Sequence, residues 1–162
     1  MSANIDREDV LAAMRGIDVF KNVPAEAIKT ERLGGLTNRN FRIESPLGRH
    51  VLRIPGAGTS EYINRHNEAH AAKSAAKVGV NAEVVHFDET SGVMLCRYID
   101  GGITMNAERF KDLGSVRRSA VALRRVHDSA SPFLNRFELF QMIDEYLDFL
   151  AKKNAPLPDG YH

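Results

Sequence analysis

The sequence predicts an α+β fold, an antiparallel sheet followed by helices. Three observations predict it. The stretch from Leu33 to Arg53 reads as two strands joined by a tight turn and preceded by a glycine-containing loop. Two more extended runs, Glu83 to Asp88 and Val93 to Ile99, are separated by the turn residues Glu89-Thr90-Ser91-Gly92. Beyond Asp100-Gly101-Gly102 the apolar residues recur at helical spacing.

Taken in order, Asp6 is placed to cap a short helix, with Glu8 and Asp9 in its first turn and Val10, Leu11 and Met14 along one side; Gly16 ends it. Val23-Pro24 opens a connector, and Ala27 to Leu33 leads into the first strand. In the hairpin, Phe41 and Ile43 alternate with Arg42 and Glu44, Ser45-Pro46-Leu47-Gly48 supplies the turn, and Val51-Leu52-Arg53-Ile54 resumes the extended run. The loop from Pro55 to Ser60 ends in residues that can cap a helix from about Glu61 to Val78, with Gly79 as its stop. Its expected apolar stripe is Tyr62, Ala69, Ala72 and Ala76, and Glu68 lies one position from it. Later, Leu113, Val116, Ala120, Leu123 and His127 follow helical spacing, as do Leu139, Phe140, Ile143, Tyr146, Leu147 and Leu150.

Composition narrows the function. A chain of 162 residues suffices for one ordinary domain with a real core. Its 43% hydrophobic and 27% charged content is that of a soluble globular protein. A net charge of +1 argues against nucleic acid or an anionic membrane as the main partner. The one cysteine, Cys96, sits in an apolar strand and cannot form an internal disulfide, which suits a reducing, cytoplasmic setting. The N-terminus lacks the basic-then-apolar pattern of a signal peptide. No apolar run approaches the ~20 residues that span a bilayer.

Gly34 and Gly35 lack a β-carbon, so the backbone there can approach a ligand and present N–H groups to phosphate oxygens. Thr37, Asn38 and Asn40 follow, with short side chains able to bond the same ligand or lock the loop. The order is then glycine-loop hairpin, basic third strand, helix with an acid, two more strands, a glycine-containing linker and helices. That order resembles the small lobe of a protein-kinase-like fold with its hinge and the first helices of a truncated large lobe. Within that fold the chain resembles the choline/ethanolamine kinase family of the aminoglycoside-phosphotransferase-like superfamily. The residues carrying the resemblance are Leu33 to Phe41, Val51-Leu52-Arg53-Ile54-Pro55-Gly56 and Arg65-His66-Asn67-Glu68. It spans about residues 30 to 130 and divides the chain into a nucleotide-binding lobe, 1–99, and an incomplete helical lobe, 100–162.

The resemblance implies that Gly34, Gly35, Leu36, Thr37, Asn38 and Asn40 cover the phosphates of ATP. It implies that Arg53 contacts them and is held by an ion pair with Glu68. The backbone of Arg97, Tyr98 and Ile99 would form the hinge that bonds adenine. A fixed cation offsets phosphate charge, and the carboxylate fixes the cation's geometry. The family also implies Mg²⁺, an H-x-D-x-x-x-x-N catalytic loop and a later metal-binding aspartate. Neither sequence feature is found here: Asp128 after His127 comes one residue too early, Asn135 is wrongly spaced, and Asp148-Phe149 is followed by Leu150 within a helical pattern. The chain is expected to stop before its family's catalytic loop and to lack catalytic residues of its own.

Other constellations receive plainer readings. His66 and His70 flank Glu68 in an order unlike the zinc-protease motif and are expected to face solvent. His127 is expected to be a packed core histidine, and Arg117, Arg118, Arg124 and Arg125 a solvated basic face. The apolar residues of 137–150 exceed a narrow stripe, so self-association through that helix is expected unless it folds back on the small lobe; the segment from Ala155 to Gly160 is expected not to be helical. Two functions stay open: the nucleotide-binding half of a kinase acting on choline or a related amino alcohol, and a non-catalytic module that binds nucleotide or a partner chain.

Overall fold

The computed structural model describes residues 2–158 and 160. Five strands form one antiparallel sheet: β1 (Lys29–Leu33), β2 (Asn38–Ser45), β3 (Gly48–Pro55), β4 (Val84–Phe87) and β5 (Met94–Arg97), ordered β1-β2-β3-β5-β4. The helices are α1 (Ser2–Arg15), α2 (Arg65–Lys77), α3 (Leu113–Ser129) and α4 (Leu139–Lys152). The α+β reading holds, with the hairpin where the alternation put it: Ser45 faces Gly48, Phe41 faces Leu52 and Asn40 faces Arg53.

Alternation along the strands gives the sheet two chemically different faces. On one, Phe41, Leu52 and Leu95 form a row across three strands, and Val10, Met14, Ile17, Phe20 and Ile28 from α1 and the segment after it cover them. Each such buried side chain contributes roughly 1.5–3 kcal/mol. The other face carries Asn40, Arg53 and Met94 in one row. A register shift between Val84 and His86 in β4 accompanies Val85 packing onto the core.

Several local expectations yield to tertiary contacts. Asp6 is not a cap; it lies inside α1, and its carboxylate takes Arg32 of β1 at 2.7 Å and Arg39 of β2 at 3.3 Å. Asp9 also pairs with Arg39. The next helix begins at Arg65 rather than near Glu61, because Thr59–Glu61 form a separate 3-10 turn and Asn64 supplies the cap, accepting from the Asn67 N–H. Tyr62 therefore lies outside α2 and is exposed, while Ala69 is buried. On α3 the expected stripe is largely exposed at Leu113, Val116 and Leu123, and His127 is exposed rather than a core residue. What half-buries on α3 is Ala122, Val126 and the capping turn, where Asp112 accepts from the N–H groups of Gly114 and Ser115. On α4, Leu139, Phe140, Ile143 and Tyr146 are exposed. Residues 155–158 are not helical, and Asp159 lies outside the described residues. Among the described residues no helix is long and apolar enough to cross a membrane.

Candidate nucleotide site

The site is built on the face of the sheet opposite the apolar row. Arg53 sits in the middle of β3, directly across from Asn40 on β2 and Met94 on β5. Its guanidinium lies 5.9 Å from the centre of the Phe87 ring, and its Nη2 is 2.7 Å from Oε1 of Glu68 on α2. The expected pairing of strand cation and helix carboxylate is therefore formed. The carboxylate stands off the N–H direction, so the contact is an ion pair without an aligned hydrogen bond, and Arg53 Nε and Nη2 are buried donors lacking an aligned acceptor among the described residues. Buried donors of this kind are uncommon, because an unmet one is unfavourable by about 1–3 kcal/mol.

The glycine loop folds against the same spot. Asn40 Nδ2 donates to the Gly34 carbonyl at 2.9 Å, which ties the loop to the residue facing Arg53. The two glycines have different reasons to be there. A β-carbon on Gly34 would meet nothing within 4 Å, leaving that backbone open to a ligand. One on Gly35 would stand 2.3 Å from the Asn38 carbonyl oxygen and 2.8 Å from Asn40 Nδ2, so the close approach at Gly35 is to the loop itself. Leu36 at the tip is fully exposed. Thr37 comes so close to Gly56 that a β-carbon there would lie 2.0 Å from the Thr37 carbonyl oxygen.

At the far end of β5, the N–H of Arg97 donates to the Glu83 carbonyl and that of Tyr98 to the Arg49 carbonyl. Sheet pairing thus occupies two N–H groups of the expected hinge. The Arg97 side chain turns to His50 and Glu83, and Tyr98 lies beneath the guanidiniums of Arg42 and Arg49 at about 6 Å. Ile99 is exposed. Cys96 is buried on the Arg53 face; burial pushes its thiol pKa up, against the opposing pull of the Arg53 charge.

Sequence reasoning assigned no role to Arg65. It is 6% exposed and donates from Nη1 to Glu68 Oε2 at 2.8 Å and from Nη2 to Thr59 Oγ1 at 2.6 Å. Its place three residues before Glu68 on one helix was the available signal. The histidines flanking Glu68 are otherwise engaged: His66 bonds Glu89, and His70 bonds the Pro132 carbonyl. Asp128 is exposed on α3 beside Arg124, and Asp148 is exposed on α4. On α3, Arg118 meets Asp112 and Ser115, while Arg117 and Arg125 line a shallow groove with Gly79 and Val80. Among the described residues no three His, Cys, Asp or Glu side chains gather to hold a metal ion.

Sheet order, helix and ion pair together define a protein-kinase-like small lobe, followed in the chain by further helices. Comparison with known proteins gives this a family. The chain is 46% identical to a choline/ethanolamine kinase family protein from Mesorhizobium loti, whose structure superimposes with a TM-score of 0.75 over 100% of this chain and 50% of that one. Choline kinase LicA from Streptococcus pneumoniae gives a TM-score of 0.69 at 25% identity, covering 82% of this chain and 46% of that one. A structure of LicA in complex with AMP gives 0.63 at 26% identity, covering 75% and 42%. In sequence, protein LicA of Haemophilus influenzae is 31% identical over 138 residues, 85% of this chain and 41% of that protein. No family model matches the chain. In sequence and in fold, then, this chain resembles the N-terminal part of choline/ethanolamine kinase family proteins, and it spans about half the length of those it matches.

Proposed function

We propose that this chain is the ATP-binding half of a small-molecule kinase, one that moves the γ-phosphate of ATP to the hydroxyl of choline or a related amino alcohol. The observation that carries the reading is Arg53: a half-buried arginine whose Nε and Nη2 are buried without an aligned hydrogen bond among the described residues, ion-paired to Glu68 and facing Asn40 at the root of the glycine loop. Phosphate oxygens are the acceptors such a group lacks. The backbone of Gly34, Gly35, Leu36, Thr37 and Asn38 closes over the phosphates, with Asn40 holding the loop in place. Adenine lies against the hinge at Arg97, Tyr98 and Ile99; since sheet pairing takes the N–H groups of Arg97 and Tyr98, the N–H of Ile99 and the carbonyls remain for the base.

The described residues do not by themselves fit the Mg²⁺ that the family implies. Asp128 and Asp148 are each exposed on a helix, and Asp128 is paired with Arg124. With no H-x-D-x-x-x-x-N pattern in its sequence, the chain by itself is expected to bind nucleotide weakly and not to turn it over. Its exposed apolar α4 surface drives self-association, and a cytoplasmic location goes with ATP as ligand and a free thiol at Cys96. NMR titration with ATP tests the reading. Shifts should concentrate in 34–40, at Arg53 and in 97–99, and Arg53→Gln should weaken ATP about tenfold or more, the loss of one charge-assisted contact of about 1.5–3 kcal/mol. Shifts scattered over the α3 arginines, unchanged by Arg53→Gln, would refute it. ADP release with choline and Mg²⁺ above background would refute the claim of catalytic silence.

A further inference from the structure

Glu68 serves two cations. Oε1 faces Arg53 and Oε2 accepts from Arg65, so two guanidiniums and one carboxylate leave the cluster with one net positive charge. An Arg53–Glu68 pair alone would be neutral and a poorer match for phosphate. Arg65 is anchored at both terminal nitrogens, while its buried Nε has no partner among the described residues. It is buried against the backbone of Gly92, where a β-carbon would stand 2.6 Å from its Nε, and its second donor goes to Thr59. Thr59 is 4% exposed. Arginine has no acceptor, so the Thr59 hydroxyl must accept from Arg65 and direct its single proton elsewhere. It donates to the Gly56 carbonyl at 2.8 Å, and Gly56 is the residue pressed against Thr37 of the glycine loop.

We propose that Arg65 and Thr59 are positioning residues, a buried relay that sets the glycine loop and the Arg53–Glu68 pair in register for the phosphates of a bound nucleoside triphosphate. The proposal rests on the nucleotide reading above. The relay runs Glu68, Arg65, Thr59, Gly56, Thr37, with every polar link a hydrogen bond of fixed direction and the last a backbone contact that admits no side chain. A shift of α2 therefore reaches the loop without passing through Arg53.

Thr59→Val keeps the volume and removes both bonds; Thr59→Ser keeps both. In the nucleotide-free chain, Thr59→Val should shift the amide resonances of Thr37 and Asn38 and the Glu68 side-chain carboxyl, and Thr59→Ser should restore them. With ligand, Thr59→Val should weaken ATP three- to tenfold while AMP, which lacks the outer phosphates, stays within twofold; serine should rescue ATP. A merely structural threonine would lower both affinities together. Equal change for ATP and AMP, or unshifted Thr37 and Asn38 amides, overturns the relay. If the unmodified chain binds neither nucleotide, the nucleotide reading fails, and with it the positioning role. The amide shifts then report only whether the contact chain exists. Should Thr59→Val not fold, Arg65→Lys keeps the cation but cannot reach Glu68 and Thr59 together, and gives the same readouts.

Discussion

Replacing Gly92 by alanine should destabilise the lobe through a residue 27 positions away in sequence. Gly92 has φ +76°, and an L-residue held there is unfavourable by about 1–2 kcal/mol. Its β-carbon would also stand 2.6 Å from Arg65 Nε, 2.8 Å from Cζ and 2.9 Å from Cδ. These atoms belong to a buried guanidinium fixed by two hydrogen bonds, so it cannot swing aside without losing at least one, worth about 1.5–3 kcal/mol for a charged donor. Gly92→Ala should therefore lose about 2.5–5 kcal/mol, a large part of the roughly 5–15 kcal/mol that holds a typical domain. In an Arg65→Ala background the steric part vanishes and only the backbone strain of about 1–2 kcal/mol is left. Urea unfolding of the four proteins, followed by far-UV circular dichroism, gives the coupling directly. Additive losses would mean that Arg65 is not seated on Gly92, and would remove one support of the relay.

His50 is buried edge-on to Phe20, and Nε2 accepts from Arg97. Burial first, then the Arg97 charge, holds its pKa below the ordinary histidine range, against weaker opposing effects of the Gly48 backbone and then Glu83. The unfolded chain thus takes the proton first: His50 leaves stability intact above the unfolded value of about 6.5 and lowers it as pH falls from there through the folded pKa. Melting temperature against pH should show that decline, and His50→Leu should flatten it. On α4, where Phe140 is 80% exposed and Ile143 40%, Phe140→Asp with Ile143→Asp should weaken self-association by about 100-fold or more, from roughly 1.5–3 kcal/mol per apolar side chain. Sedimentation across a concentration series reads this out. A wild-type chain that stays monomeric at high concentration would contradict it.

What the sequence made legible was local or came through resemblance. The β2–β3 hairpin follows from alternation over a few residues and a turn with few alternatives. Arg53 and Glu68 came as a spacing that the family resemblance made meaningful, and the pair is formed. Features decided by distant partners were not legible. Asp6 has the chemistry of a cap, but two arginines on neighbouring strands claim its carboxylate. Ser60 and Thr59 have the chemistry of a helix start, yet the Thr59 hydroxyl is committed to Gly56 and Arg65. Helical periodicity found α3 but could not say which face would be covered, and His127 is exposed. Gly35 signalled ligand approach, whereas the nearest backbone is its own loop.

The single thiol gives this lobe a built-in gauge of its own breathing. Cys96 lies across from Val51 in the middle of the sheet, on the Arg53 face, and its raised pKa keeps it in the unreactive protonated form while covered. A thiol reagent such as an alkylating maleimide can reach it only when β5 parts from its surroundings. The labelling rate therefore counts opening events without any engineered probe. Occupancy beside Arg53 should slow that clock in proportion to binding, turning one buried sulfur into a timepiece for the cleft.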